Sequence, residues 1–176
     1  YIRFPSDGDL ESMSYSNYDS SVKKSEVIKD FFAFLRSNLP QAKISADVFG
    51  LTTSAEDDLG IGQMINDAYL YFDAVAPMIY PSHFASGFLG YKNPATYPYE
   101  VVYYSMEKAK NKLENQTSSI ALLRPWLQAF DLGANYDKSM IEAEVRAVND
   151  ALGKSKYYNG YLFWDPKNEY LNLPEN

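Results

Sequence analysis

The residues best suited to chemistry in this sequence lie where short apolar runs end. The run Ala76–Phe84, APMIYPSHF, ends in Tyr80, a Pro-Ser pair and His83, which is the only histidine of the chain. An acidic residue, Asp47, stands in a second apolar run, Lys43–Gly50. Strands of a parallel sheet that end in polar residues at one edge are typical of a binding or catalytic site.

Asp47 is the predicted catalytic residue. Its neighbours Ala46 and Val48 have the small, apolar character of a buried strand, so the carboxyl is expected to be partly withdrawn from water. A carboxyl in such a place can act as a general acid or base. The alternative is structural, with Asp47 accepting hydrogen bonds from loop amides or pairing with Arg124 to hold strand ends together.

A third apolar run, Leu122–Gln128, places possible ligand-binding side chains on one side of a strand. Strand alternation puts Arg124, Trp126 and Gln128 together. An aromatic ring offers a flat apolar platform, while Arg and Gln side chains offer directional hydrogen bonds at its edge. These residues are predicted to bind substrate, with core packing as the alternative for Trp126.

Tyr80 and His83 extend this predicted binding site. Tyr80 can enlarge the aromatic platform, and His83 can hydrogen-bond a hydroxyl group or orient a carboxylate. The alternative for His83 is a structural hydrogen bond within the protein.

No metal site and no cofactor is predicted. A single histidine is a poor metal site without a cluster of further ligands. The acidic loop Glu56-Asp57-Asp58 lacks the spaced oxygen ligands and the glycine of a calcium loop. The absence of cysteine excludes disulfides and thiolate ligands.

Four segments have apolar residues at helical spacing. The first predicts a helix over about 25–38, which begins near Ser25 and is closed by Pro40. The other three predicted helices rest on the sets Ile61, Met64, Ile65, Ala68 and Tyr69; Val102, Met106, Ala109 and Leu113; and Ile141, Val145, Val148 and Leu152.

Apolar runs of strand length alternate with these helices. The predicted strands are Ile2–Phe4, Lys43–Phe49, Asp73–Tyr80, Ser119–Leu127 and Gly160–Trp164. This alternation indicates βαβ units and therefore an α/β fold with a parallel sheet. Within the strands, bulky residues alternate with small or polar ones, and a polar lining at successive strand ends is typical of a barrel interior.

Length and charge narrow the possible partners. A chain of 176 residues, 46% of them hydrophobic, is predicted to form one domain. A net charge of −7 without a basic cluster disfavours nucleic acid and anionic membrane surfaces as partners. No apolar run reaches the roughly 20 residues of a membrane helix, and the first residues do not read as a signal peptide.

Several motifs together resemble the putative glycoside hydrolase domain family of bacteria, a distant relative of the α-amylase-type (β/α)8 barrels. The matching segments run in order from Tyr1 to Tyr170: YIRFPSDG, ISADVFG, GIGQ, APMIYPSHF, PYEVV, RPWLQAF and GYLFWDPKNEY. The resemblance implies a TIM-barrel type of fold in which residues 1–176 are one N-terminally incomplete domain, holding about the fourth to eighth strands. It also implies an extracellular or cell-envelope location in a bacterium.

The same resemblance extends the predicted site. In the family an aspartate precedes the YIRFP motif, at the place of the nucleophile of amylase-like enzymes, and here that position lies before Tyr1. The matching motifs add Arg3, Trp164 and Asp165 to the predicted substrate-binding residues, with Asp165 standing where a more amide-like residue is expected.

The function implied is hydrolysis of a polysaccharide or cell-envelope glycan, in which Asp47 acts together with the upstream aspartate. A non-catalytic carbohydrate-binding barrel domain is the chief alternative, because one fold hosts many functions. A third expectation is self-association, because an incomplete barrel exposes unpaired edge strands and apolar surface. The incomplete barrel is also expected to be inactive alone.

Overall fold

The computed structural model describes residues 1–15, 19, 21–117, 119, 121–170 and 172–174 of the chain. Within these residues the α-helices are α1 (Lys24–Asn38), α2 (Ile65–Tyr71), α3 (Pro98–Glu114) and α4 (Lys138–Leu152). The strands are β1 (Ser45–Phe49), β2 (Ala74–Ile79), β3 (Leu122–Leu123), β4 (Trp126–Gln128) and β5 (Leu162–Trp164). Helices alternate with strands along the chain, which confirms the predicted α/β class.

Every strand pair of the sheet is parallel. β1 pairs with β2, β2 with both β3 and β4, and β4 with β5. β3 and β4 are two parts of one extended segment, interrupted at Arg124 and Pro125, because proline has no N–H to give to a strand ladder. All carboxyl ends of the strands therefore lie at the same edge of the sheet.

One face of the sheet packs against the helices and forms the core. Val48, Val75, Leu123 and Leu127 on this face are at most 1% exposed. Each such side chain contributes roughly 1.5–3 kcal/mol through burial. The strand β1 alternates between exposed and buried positions along its length, which confirms the predicted difference between the two faces. No helix within the described residues has both the length and the apolar composition to cross a bilayer.

The amino ends of β1 and β2 are held by an ionic cluster. Arg36 Nη2 lies 2.8 Å from Asp73 Oδ2, and Arg36 Nε donates to the carbonyl of Tyr71 at 2.6 Å. The same Asp73 oxygen accepts a hydrogen bond from Ile44 N at 3.0 Å. The hydrogen bonds that Asp73 accepts from Arg36, Ile44 N and Lys43 hold the pKa of its carboxyl well below the usual range. This cluster fixes where both strands begin relative to α1.

The predicted strand Ile2–Phe4 is wrong, because this segment pairs with none of the strands that the structure describes. Instead, Phe4 N donates to Ile61 O at 2.8 Å, and the Gln63 side chain donates to Ile2 O at 2.7 Å. The other end of the Gln63 amide accepts from Phe49 N at 2.8 Å. A side chain thus links the segment to the end of β1 in place of a backbone ladder.

Two other predicted boundaries also differ. α2 begins at Ile65 and not near Ile61, since Gly60 and Gly62 have φ of 68° and 79° and so interrupt a right-handed helix. The predicted strand Ser119–Leu127 is reduced to β3 and β4, and Ile120 within it lies outside the described residues.

Candidate active site

Asp47 lies on the face of the sheet that turns away from the helices. In the ladder it stands opposite Ala76 of β2, while Trp126 of β4 stands opposite Met78. The small Ala76 side chain leaves room across β2, and the indole Nε1 of Trp126 donates to Asp47 Oδ1 at 2.9 Å. The carboxyl is half-buried and keeps access to solvent. It is therefore oriented by the protein and open to a ligand.

An aromatic wall stands beside this carboxyl. The rings of Trp126 and Trp164 meet edge to face with centroids 6.2 Å apart, and Trp164 is 41% exposed. The ladder positions Trp164 next to Gln128 on β4. An exposed indole ring such as that of Trp164 can stack on the apolar face of a sugar.

A second aromatic group forms at the end of β2. Tyr80 meets His83 and Phe130 edge to face, with centroids 5.3 and 5.6 Å apart. Burial, reinforced by the charge of Asp47, raises the pKa of the Tyr80 hydroxyl far above its usual value, so this group remains a hydrogen-bond donor. Partial desolvation lowers the pKa of His83, although the residue is exposed. Both shifts favour the uncharged form of the group.

Phe130 was not predicted as a site residue. It follows the end of β4 and contacts both Tyr80 and His83, with the His83 centroid at 5.9 Å. The sequence gives little indication of this role, because an aromatic residue after a strand is equally typical of a hydrophobic core and of a binding site.

Gln128 is fully buried and braces two strand ends. Its side-chain oxygen accepts from Ser82 N at 3.1 Å and from Ser82 Oγ at 2.9 Å, and its amide nitrogen donates to Phe130 O at 2.9 Å. These bonds fix the turn that carries His83. The structure therefore places the Gln128 side chain in contact with protein groups at the site wall.

Glu144 of α4 supports the same strand end from the helix side. Its Oε1 accepts from Gln128 N at 3.3 Å, and the residue is fully buried. Its other oxygen, Oε2, has no hydrogen-bond partner among the described residues. Burial raises the pKa of this carboxyl well above its usual range. Sequence reasoning missed Glu144, although an acid between Ile141 and Val148 on an apolar helix face was a detectable signal.

The remaining predicted residues, Arg124, Arg3 and Asp165, take part in none of the contacts described above. Arg124 makes no ion pair with Asp47 within the described part of the chain, which contradicts the alternative interpretation of that pair. Its Nε is buried without a hydrogen-bond partner there. Arg3 Nη1 donates to Phe4 O at 3.1 Å and to Ser6 Oγ at 3.0 Å, within its own segment.

Asp165 follows β5 and is 6% exposed. Its Oδ1 accepts from Lys167 N at 2.6 Å, so the carboxylate closes the turn after the strand. It also lines a pocket of about 220 Å³ at the ends of β4 and β5, together with Asp131, Tyr136 and Tyr170.

Among the described residues, no cluster of three or more acidic or histidine side chains could hold a metal ion. In the acidic loop, Asp57 Oδ1 accepts from Leu59 N at 3.1 Å and Asp58 Oδ1 accepts from Gly60 N at 3.0 Å. These carboxylates stabilise a turn.

The sequence matches the family model described as "putative glycosyl hydrolase domain" over residues 1–170. The chain belongs to this family. No curated protein matches the sequence.

Two solved structures share the fold. The glycoside hydrolase domain of PgaB (BpsB) from Bordetella bronchiseptica aligns with a TM-score of 0.53 and 16% identity, over 78% of this chain and 37% of that one. Bee venom hyaluronidase, in complex with a hyaluronic acid tetramer, aligns with a TM-score of 0.54 and 12% identity, over 80% of this chain and 43% of that one. The chain thus spans less than half the length of either, and the likeness shows a parallel βα sheet of TIM-barrel type.

Proposed function

We propose that this domain contributes to hydrolysis of a polysaccharide or cell-envelope glycan, with Asp47 as the general acid. Hydrolysis of a glycosidic bond needs two carboxyl groups, one that protonates the leaving oxygen and one that attacks the sugar or activates water. Asp47 suits the first role because it lies on the open face of the sheet, near the carboxyl edge. The observation that carries the proposal is the 2.9 Å hydrogen bond from Trp126 Nε1, which orients the Asp47 carboxyl beside the aromatic wall of Trp126 and the exposed Trp164.

We assign the second carboxyl to the aspartate that the family pattern places immediately before the position of Tyr1. Tyr1 lines the pocket at the end of β1 together with Phe49, two residues beyond Asp47. A residue joined to Tyr1 is therefore in reach of the same edge of the sheet. The substrate is held by stacking on Trp126 and Trp164 and by hydrogen bonds from Tyr80 and His83.

A non-catalytic glycan-binding domain is the second candidate. Three other carboxyl groups near the strand ends favour it, because each is engaged within the protein. Asp165 closes a turn, Asp131 Oδ1 accepts from Tyr136 N at 2.6 Å, and Glu144 is buried beneath Gln128. The aromatic wall alone would still bind sugar rings.

The test is hydrolysis of a panel of bacterial exopolysaccharides and cell-envelope glycans by the full-length protein, with Asp47→Asn in parallel. The amide is isosteric with the carboxyl but cannot exchange a proton, so we expect release of sugar by wild type and a loss of about two orders of magnitude or more in Asp47→Asn. Ser45→Asn is the matched control, since Ser45 is an exposed residue on the same face of β1. Saturable binding by both proteins without any sugar release would favour the binding domain.

A further inference from the structure

A pocket of about 430 Å³ opens at the carboxyl ends of β1 and β2. Its apolar walls come from Phe49, Leu51, Met78, Phe84 and Phe88. Gly50 permits the close approach of the two strand ends here, because a Cβ at this position would lie 2.2 Å from the Met78 carbonyl oxygen. The pocket is therefore formed at the carboxyl ends of β1 and β2, the two strands that also position Asp47 and Tyr80.

The pocket lies on the same face of the sheet as Asp47. Phe49 follows Asp47 by two residues and therefore projects from the same face of β1. In the ladder Met78 stands opposite Phe49 on one side and Trp126 on the other. Trp126 is the residue that hydrogen-bonds Asp47. A sugar unit held against Asp47 can thus extend a substituent over Met78 into the pocket.

The polar groups of the pocket are few and uncharged. The polar side chains among its described lining residues are Tyr1, Tyr80 and His83. Apart from this histidine, none of these lining residues has an acidic or basic side chain. Burial raises the pKa of the Tyr80 hydroxyl, and desolvation lowers the pKa of the His83 imidazole. Both groups can therefore donate a hydrogen bond without placing a charge in the pocket.

An unmodified sugar ring fits these walls poorly. Its hydroxyl groups point outward around the ring, and each one buried against apolar side chains without a partner costs about 1–3 kcal/mol. An acyl group has the complementary chemistry, because its alkyl part suits Phe49, Leu51 and Met78 while its carbonyl oxygen accepts from a neutral donor.

We propose that this pocket binds an acyl group carried by the glycan, so that the protein selects acylated over unacylated chains. The Tyr80 hydroxyl and the His83 ring supply donors for the carbonyl oxygen. The inference rests on the proposed function for the position of the sugar, and it extends that function by naming a substituent. An amide-linked and an ester-linked acyl group share this chemistry, and the test distinguishes them.

The test measures equilibrium binding by calorimetry to the full-length Asp47→Asn protein, in which turnover is suppressed. Two matched probe pairs are used: a tetramer of N-acetylglucosamine with its de-N-acetylated form, and an O-acetylated xylo-oligosaccharide with its saponified form. We expect the acetylated member of at least one pair to bind about ten-fold more tightly, from burial of one methyl group plus one hydrogen bond. The net charge of −7 favours the cationic de-N-acetylated probe, so a preference for the amide cannot arise from net charge.

Filling the pocket should remove the preference. Ala85 lines the pocket and is exposed, whereas its neighbour Ser86 does not line it. We expect Ala85→Phe to bring the affinities of a pair together and Ser86→Phe to leave the preference intact. Equal affinity within both pairs, absence of binding to all probes, or a preference that survives Ala85→Phe would overturn the inference.

These outcomes are separable from those of the hydrolysis test. Acyl-selective binding without sugar release by wild type supports this pocket and removes the proposed hydrolysis. Sugar release that depends on Asp47, with equal affinity for acylated and unacylated probes, supports the proposed hydrolysis and removes the acyl-binding pocket.

Discussion

The two faces of the parallel sheet are built from adjacent residues of the same strands, and they differ in what they contact. On the helix side, Val48 and Leu127 are 1% and 0% exposed and belong to the hydrophobic core. On the other side, Asp47 and Trp126 are half-buried and hydrogen-bonded to each other across β2. Because side chains alternate between the two faces of a strand, the residues that stabilise the core and the residues of the candidate site are one position apart in the sequence.

The two ends of the strands also differ in their contacts. At the amino edge, Arg36 and Asp73 tie β1 and β2 to α1 through a 2.8 Å ion pair. At the carboxyl edge, the contacts are aromatic groups, pockets and hydrogen bonds from Gln128 to the turn at Ser82. A substitution should accordingly change either folding or ligand chemistry, depending on the face and edge it occupies.

The largest expected effect is on the helix side. Leu127→Ala removes a fully buried side chain and leaves a cavity, so we expect the free energy of unfolding to fall by about 2–5 kcal/mol. Chemical denaturation of the full-length protein measures this. A loss below about 1 kcal/mol would contradict the assignment of this face to the core.

A smaller effect is expected one position earlier, on the opposite face. Trp126→Phe keeps an aromatic ring and removes the indole N–H that donates to Asp47. Hydrogen bonds to charged groups contribute about 1.5–3 kcal/mol, so we expect kcat/KM to fall roughly 10- to 100-fold. The matched control is Trp164→Phe, which alters the ring contact and leaves that hydrogen bond in place, and its kcat/KM should fall less. Equal losses in the two variants would mean that the hydrogen bond has no catalytic role.

The subtlest prediction concerns the pH dependence of stability through Glu144. Burial raises its pKa in the folded protein above the value in the unfolded chain, so the folded state keeps a proton that the unfolded state has lost. Stability should therefore fall as pH rises from the unfolded pKa towards the folded one, by up to about 1.4 kcal/mol per pH unit. Glu144→Gln, which cannot ionise, should flatten this slope.

Thermal unfolding across a pH series checks the Glu144 prediction. Glu142→Gln is the control, because Glu142 is an exposed residue of the same helix. A slope that is the same in wild type and Glu144→Gln would assign the pH dependence to other groups.

Periodicity was sufficient to predict most of the fold. The helix predicted over 25–38 corresponds to α1, and the strands around Asp47 and Met78 lie where alternation placed them. These elements were predictable because burial of one face imposes a regular pattern on the residues themselves. The glycosyl hydrolase family was also predictable, since its motifs are local stretches of sequence.

The sequence could not predict contacts between distant segments. Ile2–Phe4 has the composition of a strand, but its partners are the Ile61 carbonyl and the Gln63 side chain. The hydrogen bond between Asp47 and Trp126 joins residues 79 positions apart and depends on the register of β2 between them. Such pairings follow from the packing of the whole sheet and leave no local pattern.

The most direct test of this account compares two adjacent residues of β1, Asp47→Asn and Val48→Ala, in the full-length protein. Both kcat on a hydrolysed glycan and the unfolding midpoint are measured for each variant. The account predicts that Asp47→Asn loses about two orders of magnitude or more in kcat with an unchanged midpoint, whereas Val48→Ala loses about 2 kcal/mol of stability and keeps its kcat. Full activity in Asp47→Asn, or a loss of folding in place of a loss of rate, would contradict the assignment of catalysis to the open face of the sheet.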